Sequence, residues 1–226
     1  MKILAVDTSA VCASVAVTEN GKILSEASTN TGLTHSRTLM PMIDSVLKNA
    51  EIDIDTVDYF ACSVGPGSFT GIRIGVAAIK GLCDSLRKKC IPVSTLEGLA
   101  YNLLGNRCTA VSVMDARCNQ VYCAIFAVDG EKVTRLTEDM AIKIEELKEK
   151  LTEYENIVFV GDGAKICYEQ LGYTKASAGC VFQRGSSVAF AAEKQGEESA
   201  IDGTQLMPVY LRLPQAEREL KARKNK

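Results

Sequence analysis

The feature that most constrains this chain is a repeat. The stretch TAVSVMDARCNQVYCAIFAVDGEKV, starting at Thr109, follows the plan of the N-terminal KILAVDTSAVCASVAVTENGKIL. Each has an apolar strand closing on an aspartate (Asp7, Asp115), a short polar turn and a second apolar strand. Each then has a turn with glycine (Gly21, Gly130) and a third strand. The two copies stand about half of the 226 residues apart. A repeat at that period outranks local propensity when a fold is read, because both copies must solve the same packing problem. It divides the chain into an N-terminal lobe, 1–105, and a C-terminal lobe, 106–226.

The local elements agree with two α/β units. Asn20-Gly21 is a hairpin signal, since both turn positions tolerate positive φ. In THSRTLMPMIDSVLKNA the residues Leu39, Ile43, Val46 and Leu47 recur at helical spacing. VDYFACSV at 57–64 and IVFVGDG at 157–163 read as buried strands. Ser94 and Glu97 predict a capping box at the start of STLEGLAYNLLGN, with Gly105 as its stop. Further helices are expected over 144–154 and 187–194.

Composition narrows the function classes. Hydrophobic residues make up 46% and charged residues 24%, ordinary for a soluble globular protein. A net charge of −2 argues against a protein that holds nucleic acid by bulk electrostatics. No uncharged apolar run reaches bilayer length, and Asp7 interrupts the first one, so neither a membrane span nor a signal peptide is expected. The nine cysteines form no Cys-x-x-Cys pair and sit mostly in apolar stretches, which predicts reduced thiols in a cytosolic protein.

SVGPGSFTGIRIGVAAIKG, 63–81, carries Gly65, Gly67, Gly71, Gly75 and Gly81. It is not a P-loop: three residues separate Gly67 from Gly71, and Ile72 stands where the lysine belongs. The dinucleotide fingerprint fails by one spacer residue. Gly71, Gly75 and Ala78 do share a helical stripe beside Ile72, Val76, Ile79 and Cys83. Glycine inside a helix costs about 1 kcal/mol against alanine, so two on one stripe call for close approach by another segment. From spacing alone that segment is either part of the same domain or a partner helix.

The chain has a single histidine, His35, so the paired histidines of a helical zinc or iron site are missing and no metal site is predicted. No G-x-S-x-G nucleophile motif is present, and no catalytic residue is assigned. Asp7 is either a metal- or phosphate-side carboxylate or the start of an Asx turn with Ser9; Asp162, between Gly161 and Gly163, is equally open. After Pro214 the tail is basic, with Arg218, Lys221, Arg223, Lys224 and Lys226.

Two halves with strand-ending aspartates resemble the duplicated α/β fold of the actin, sugar kinase and heat-shock-protein ATPase superfamily (ASKHA, ribonuclease H-like). There the two acidic residues face each other across a cleft near the nucleotide phosphates, and GDG resembles the adenosine-binding glycines. That resemblance makes Asp7, Thr8, Ser9, Asp115, Gly161, Asp162 and Gly163 the candidate nucleotide residues, and leaves weak ATP and Mg²⁺ binding at the cleft or a complex interface open. An ATP-dependent kinase or phosphohydrolase is the alternative function on this basis; a peptidase is a remote third reading, against which the lone histidine and the lack of a visible Ser or Cys triad argue.

The segments ILAVDTS, THSRTLMPMI, VGPGSFTGIRIGVAAIKGL, MDARCNQVY and PVYLRLPQAE together resemble the bacterial TsaB (YeaZ) family over nearly the whole chain. The resemblance implies the two-lobed actin-like fold and a role in forming N6-threonylcarbamoyladenosine in tRNA. It implies a noncatalytic subunit that supports TsaD, the paralogue that carries the metal-binding histidine pair. TsaE, a small ATPase, joins that assembly, tRNA is met through the complex, and a homodimer forms in isolation. The implied partner interface is a bundle of N-lobe helices. Its residues would be Ser36, Leu39, Met40 and Ile43 on one helix, and Gly67, Phe69, Thr70, Gly71, Ile72, Ile74 and Gly75 on the next. On that reading Gly71→Leu or Gly75→Leu would break association and leave the fold intact. Leu39 stands where the catalytic paralogue would need its second histidine.

Overall fold

A computed structural model describes residues 1–212. The basic tail singled out above lies outside the described residues.

The first half runs β1 (Lys2–Asp7), β2 (Ala13–Glu19), β3 (Lys22–Thr29), α1 (His35–Asn49), β4 (Tyr59–Gly65), α2 (Phe69–Leu86), β5 (Lys89–Ser94) and α3 (Thr95–Tyr101). The second runs β6 (Arg107–Asp115), β7 (Gln120–Asp129), β8 (Lys132–Arg135), β9 (Met140–Lys143), α4 (Ile144–Leu151), β10 (Ile157–Val160), α5 (Ala164–Leu171), β11 (Thr174–Lys175) and α6 (Gly185–Gln195), then β12 (Ile201–Asp202). The sheets are ordered β12-β5-β4-β1-β2-β3 and β11-β10-β6-β7-β8. Strip away β12, and β9 beside β7, and the two orders are the same. In both, an antiparallel hairpin (β1–β2, β6–β7) lies beside a parallel partner (β4, β10). The repeat in the sequence is a repeat of topology.

The turn chemistry behaves as expected at the first hairpin, where Asn20 (φ 49°) and Gly21 (φ 76°) make the two-residue reversal. The stripe Leu39, Ile43, Val46 and Leu47 puts α1 on the outer face of the first sheet, where α2 joins it over Leu4, Val6, Val15 and Phe60. In the same way α4 and α5 cover the outer face of the second sheet.

The interior layer departs from a simple two-lobe division. Helix α3 belongs to the first half, yet it packs on β6 and β7; α6 belongs to the second half, yet it packs on β1 and β2. Strand β12 also returns to the first sheet, pairing Ile201 with Cys90 of β5. The expected boundary near 106 therefore separates the copies in sequence but not in space. The reason is burial. Leu96, Leu99 and Ala100 on α3 and Val188, Ala189, Ala191 and Ala192 on α6 are sealed on more than one side. A helix apolar around so much of its circumference is stable only between two layers.

Polar latches hold each crossing helix. Glu26 of β3 accepts from Arg184 (2.6 Å) and from the backbone N–H and hydroxyl of Ser186 at the start of α6 (3.0 and 2.6 Å). Burial pushes the Glu26 carboxyl up, but these donors outweigh it and hold the group below the ordinary range. At α3, Ser94 donates to Asp139 (2.7 Å) and accepts from the Glu97 N–H (3.4 Å). The Glu97 carboxylate turns to Arg135 instead of closing the capping box.

Candidate functional site

The turn after β1 and the start of α2 are built into one another. Asp7 is 2% exposed and saturated: Oδ1 accepts from the Ser9 N–H (2.8 Å) and hydroxyl (2.6 Å), and Oδ2 from the Ser63 hydroxyl (2.5 Å). Burial raises its pKa despite those donors. Of the two sequence readings of Asp7, the Asx turn is the one present. Thr8 then lies along α2, its hydroxyl donating to the Gly71 carbonyl (2.8 Å). A methyl group at Gly71 would overlap the Thr8 carbonyl oxygen, and one at Gly75 would come within 2.5 Å of the Thr8 hydroxyl. Gly67 meets the Ser9 carbonyl, which also accepts from the Ser68 N–H (2.7 Å).

This corrects part of the expected interface. Gly71 and Gly75 allow close approach, but the approaching segment is the chain's own β1–β2 turn. Leu39 and Ile43 are 1–2% exposed and Ile72 fully buried, all in the core beneath α1 and α2. These five residues face inward, because an apolar helical stripe first satisfies its own sheet. Ser36, Met40 and Thr70 are exposed, with Phe69, Ile74 and Gly67 half-buried beside them.

The outward face gains residues from elsewhere in the chain. Val11 (64% exposed), Leu33 (51%) and Met40 (49%) are joined by Met207, Val209 and Tyr210 of the segment after β12. That segment runs along α2 as a strap. Leu206 is buried in the core, and the Val209 N–H donates to the Val64 carbonyl (2.8 Å). Tyr210 stacks on Phe69 (centroids 4.6 Å apart) while its hydroxyl accepts from Arg73 Nε (2.8 Å). Arg212 reaches the second lobe, donating to the Ala116 carbonyl (3.1 Å). Val11, Leu33 and the strap were missed in the sequence. Their signal was weak: Val11 among the small residues of SAVCAS, Leu33 alone in the polar TGLTH, and an apolar run, LMPVYL, lacking helical or strand period.

Between the lobes lies a cleft of about 660 Å³. Val11, Leu33, Phe69 and Ile74 line it from one lobe, and Asp115, Arg117 and Asp162 from the other. His35 Nε2 donates to the Ala10 carbonyl (2.7 Å), tying the start of α1 to the β1–β2 turn; its Nδ1 is sealed without a partner. Asp115 repeats the Asx turn of Asp7, accepting from the Arg117 N–H (2.7 Å), and its own N–H donates to Asp162 (3.2 Å). Burial, with Asp115 alongside, pushes the Asp162 carboxyl up to about 6. Gly161 and Gly163 press on the backbone of Val113 and Met114, holding the turn after β10 against β6.

The actin-like fold implies a nucleotide and its metal between the two turns. The residues of the first turn do not fit that role. Asp7 is sealed and hydrogen-bonded at both oxygens, the Ser9 hydroxyl is bonded to Asp7, and the Thr8 hydroxyl to α2. Ser9, Asp115 and Asp162 line the cleft. Among the described residues no group of three His, Cys, Asp or Glu side chains is placed to hold a metal ion.

Two sheets of one topology, two helices crossing between them and a cleft at the strand-ending aspartates define a duplicated actin-like α/β protein. Component A of (R)-2-hydroxyglutaryl-CoA dehydratase from Acidaminococcus fermentans shares this architecture (TM-score 0.52, 11% identity, covering 88% of this chain and 99% of that one). The family model for TsaD, tRNA N6-adenosine threonylcarbamoyltransferase, matches residues 22–217. The tRNA threonylcarbamoyladenosine biosynthesis protein TsaB of Bacillus subtilis is 31% identical over 224 residues, 96% of each chain. A Pseudomonas aeruginosa crystal structure described as similar to peptidase YeaZ superposes with a TM-score of 0.79 at 25% identity, covering 93% of this chain and 99% of that one. The chain belongs to the TsaB (YeaZ) family.

Proposed function

We propose that this chain is a noncatalytic docking subunit that binds and supports a TsaD-type threonylcarbamoyltransferase during formation of N6-threonylcarbamoyladenosine in tRNA. The observation that carries the reading is the outward apolar face: Met40 of α1, Phe69 and Ile74 of α2, and the strap residues Met207, Val209 and Tyr210. Apolar side chains left open on two helices and a strap support an interaction site. The name carried by the Bacillus subtilis relative and the TsaD family match support this reading.

On this reading TsaE joins the assembly and supplies ATP hydrolysis, and tRNA is met through the complex. In isolation the same face pairs two copies of the chain. The work takes place in the cytosol, in keeping with nine cysteines that are all unpaired. Co-purified TsaD, TsaE and this chain, with ATP, Mg²⁺ and tRNA, provide the test. Gel filtration should show a stable complex with TsaD, and leaving this chain out should abolish threonylcarbamoylation of the tRNA. Separate elution under all these conditions, or full modification in its absence, would overturn the proposal.

A further inference from the structure

The cleft beside the docking face has an uncommon make-up: apolar side chains line it from one lobe and two carboxylates from the other. Val11 and Leu33 stand out into solvent, and Phe69 and Ile74 line the cleft with them. The other lobe contributes Asp115 and Asp162, the Asp162 carboxylate accepting from the Asp115 backbone N–H. Among the described residues neither carboxylate forms an ion pair. Arg117 stands at the edge of the cleft with contacts of its own.

Apolar lining disfavours a hydrated ion, and acidic lining disfavours an apolar plug. A lysine or arginine satisfies both, because its alkyl stem covers apolar surface while the charged head reaches polar groups. The cleft is roomy enough for one, and its apolar residues run on from the exposed face of α1 and α2. Resting on the docking role proposed above, we infer that the interlobe cleft receives a lysine or arginine side chain from the bound TsaD-type partner, its head meeting Asp115 and Asp162. The partner is thereby gripped by both lobes at once, and its binding reports on the distance between them.

Titration calorimetry with purified TsaD tests this. Wild-type affinity should fall as NaCl is raised. The Asp115→Asn/Asp162→Asn double variant should bind about 30-fold more weakly and lose most of that salt dependence, since truncating one side of a desolvated interfacial charge pair has effects of this size. Asp115→Asn alone, at an exposed position, should show part of the loss with an unchanged melting temperature, separating binding from folding. A Met40→Asp variant serves as the control for the docking face. If Met40→Asp abolishes binding while both Asn variants match wild type in affinity and salt dependence, the inference is overturned and the docking role stands. If Met40→Asp also binds like wild type, the docking role itself fails.

Discussion

Gly71 and Gly81 lie on one helix and do opposite things. At Gly71 a methyl group would overlap the backbone of Thr8, which cannot swing away as a side chain end could. Gly71→Ala is therefore expected to cost about 2–3 kcal/mol by forcing α2 off the β1–β2 turn. At Gly81 nothing lies within 4 Å and the position is exposed, so Gly81→Ala should stabilise by about 0.5–1 kcal/mol through helix propensity. Urea unfolding of the two variants checks both signs. This replaces the expectation that Gly71→Leu would spare the fold. Spacing showed that something comes close to the glycine stripe, and that much was legible. It could not show what, because the answer lies in a turn more than sixty residues upstream in sequence. Asp162 gives a second residue-scale prediction. Its carboxyl titrates near 6 in the folded chain against about 3.9 in an unfolded one, so the native state binds the extra proton. Its contribution to stability is whole below about pH 4 and is lost as pH rises through 6. The stability advantage of Asp162→Asn over wild type should thus grow from pH 4 to pH 6 and level off above; a difference that is flat with pH would contradict the assignment.

Among the elements, α6 and its latch matter most to how the halves are joined. Glu26 holds the Arg184 guanidinium and the first turn of α6 together, with side chains 15% and 35% exposed. Glu26→Ala strands a half-buried charge and opens a helix cap, and should cost about 3 kcal/mol. Chemical denaturation measures it, and a loss under 1 kcal/mol would show that the latch is incidental. The hairpins, α1, α2 and the start of α3 were readable because period, turn residues and caps are local. The crossing of α3 and α6 was not. An all-round apolar helix announces burial but not which sheet will cover it. The strap was illegible for a related reason: it has no period of its own and takes its course from Leu206, Val209 and Tyr210 meeting surfaces already built.

At the scale of the whole molecule, duplication supplied two turns ending in aspartate, and the chain uses them differently. The first, at Asp7, is sunk into the protein as a seat for α2; the second, at Asp115, stays open to the cleft. Met40 of α1, Phe69 and Ile74 of α2 and the strap residues Met207, Val209 and Tyr210 supply the outward apolar surface. The central claim is that this surface binds a TsaD-type partner, and the most direct measurement compares it with an exposed position on α5. Met40→Asp places a charge in the apolar face, and Tyr168→Asp places one on α5, at a side chain of similar exposure (49% and 45%). Both should melt with wild type. In calorimetric titrations with TsaD, Tyr168→Asp should bind like wild type, and Met40→Asp should bind at least 30-fold more weakly, as expected when a hot-spot position is lost. Equal affinities for the two variants, or the larger loss at Tyr168, would contradict the account.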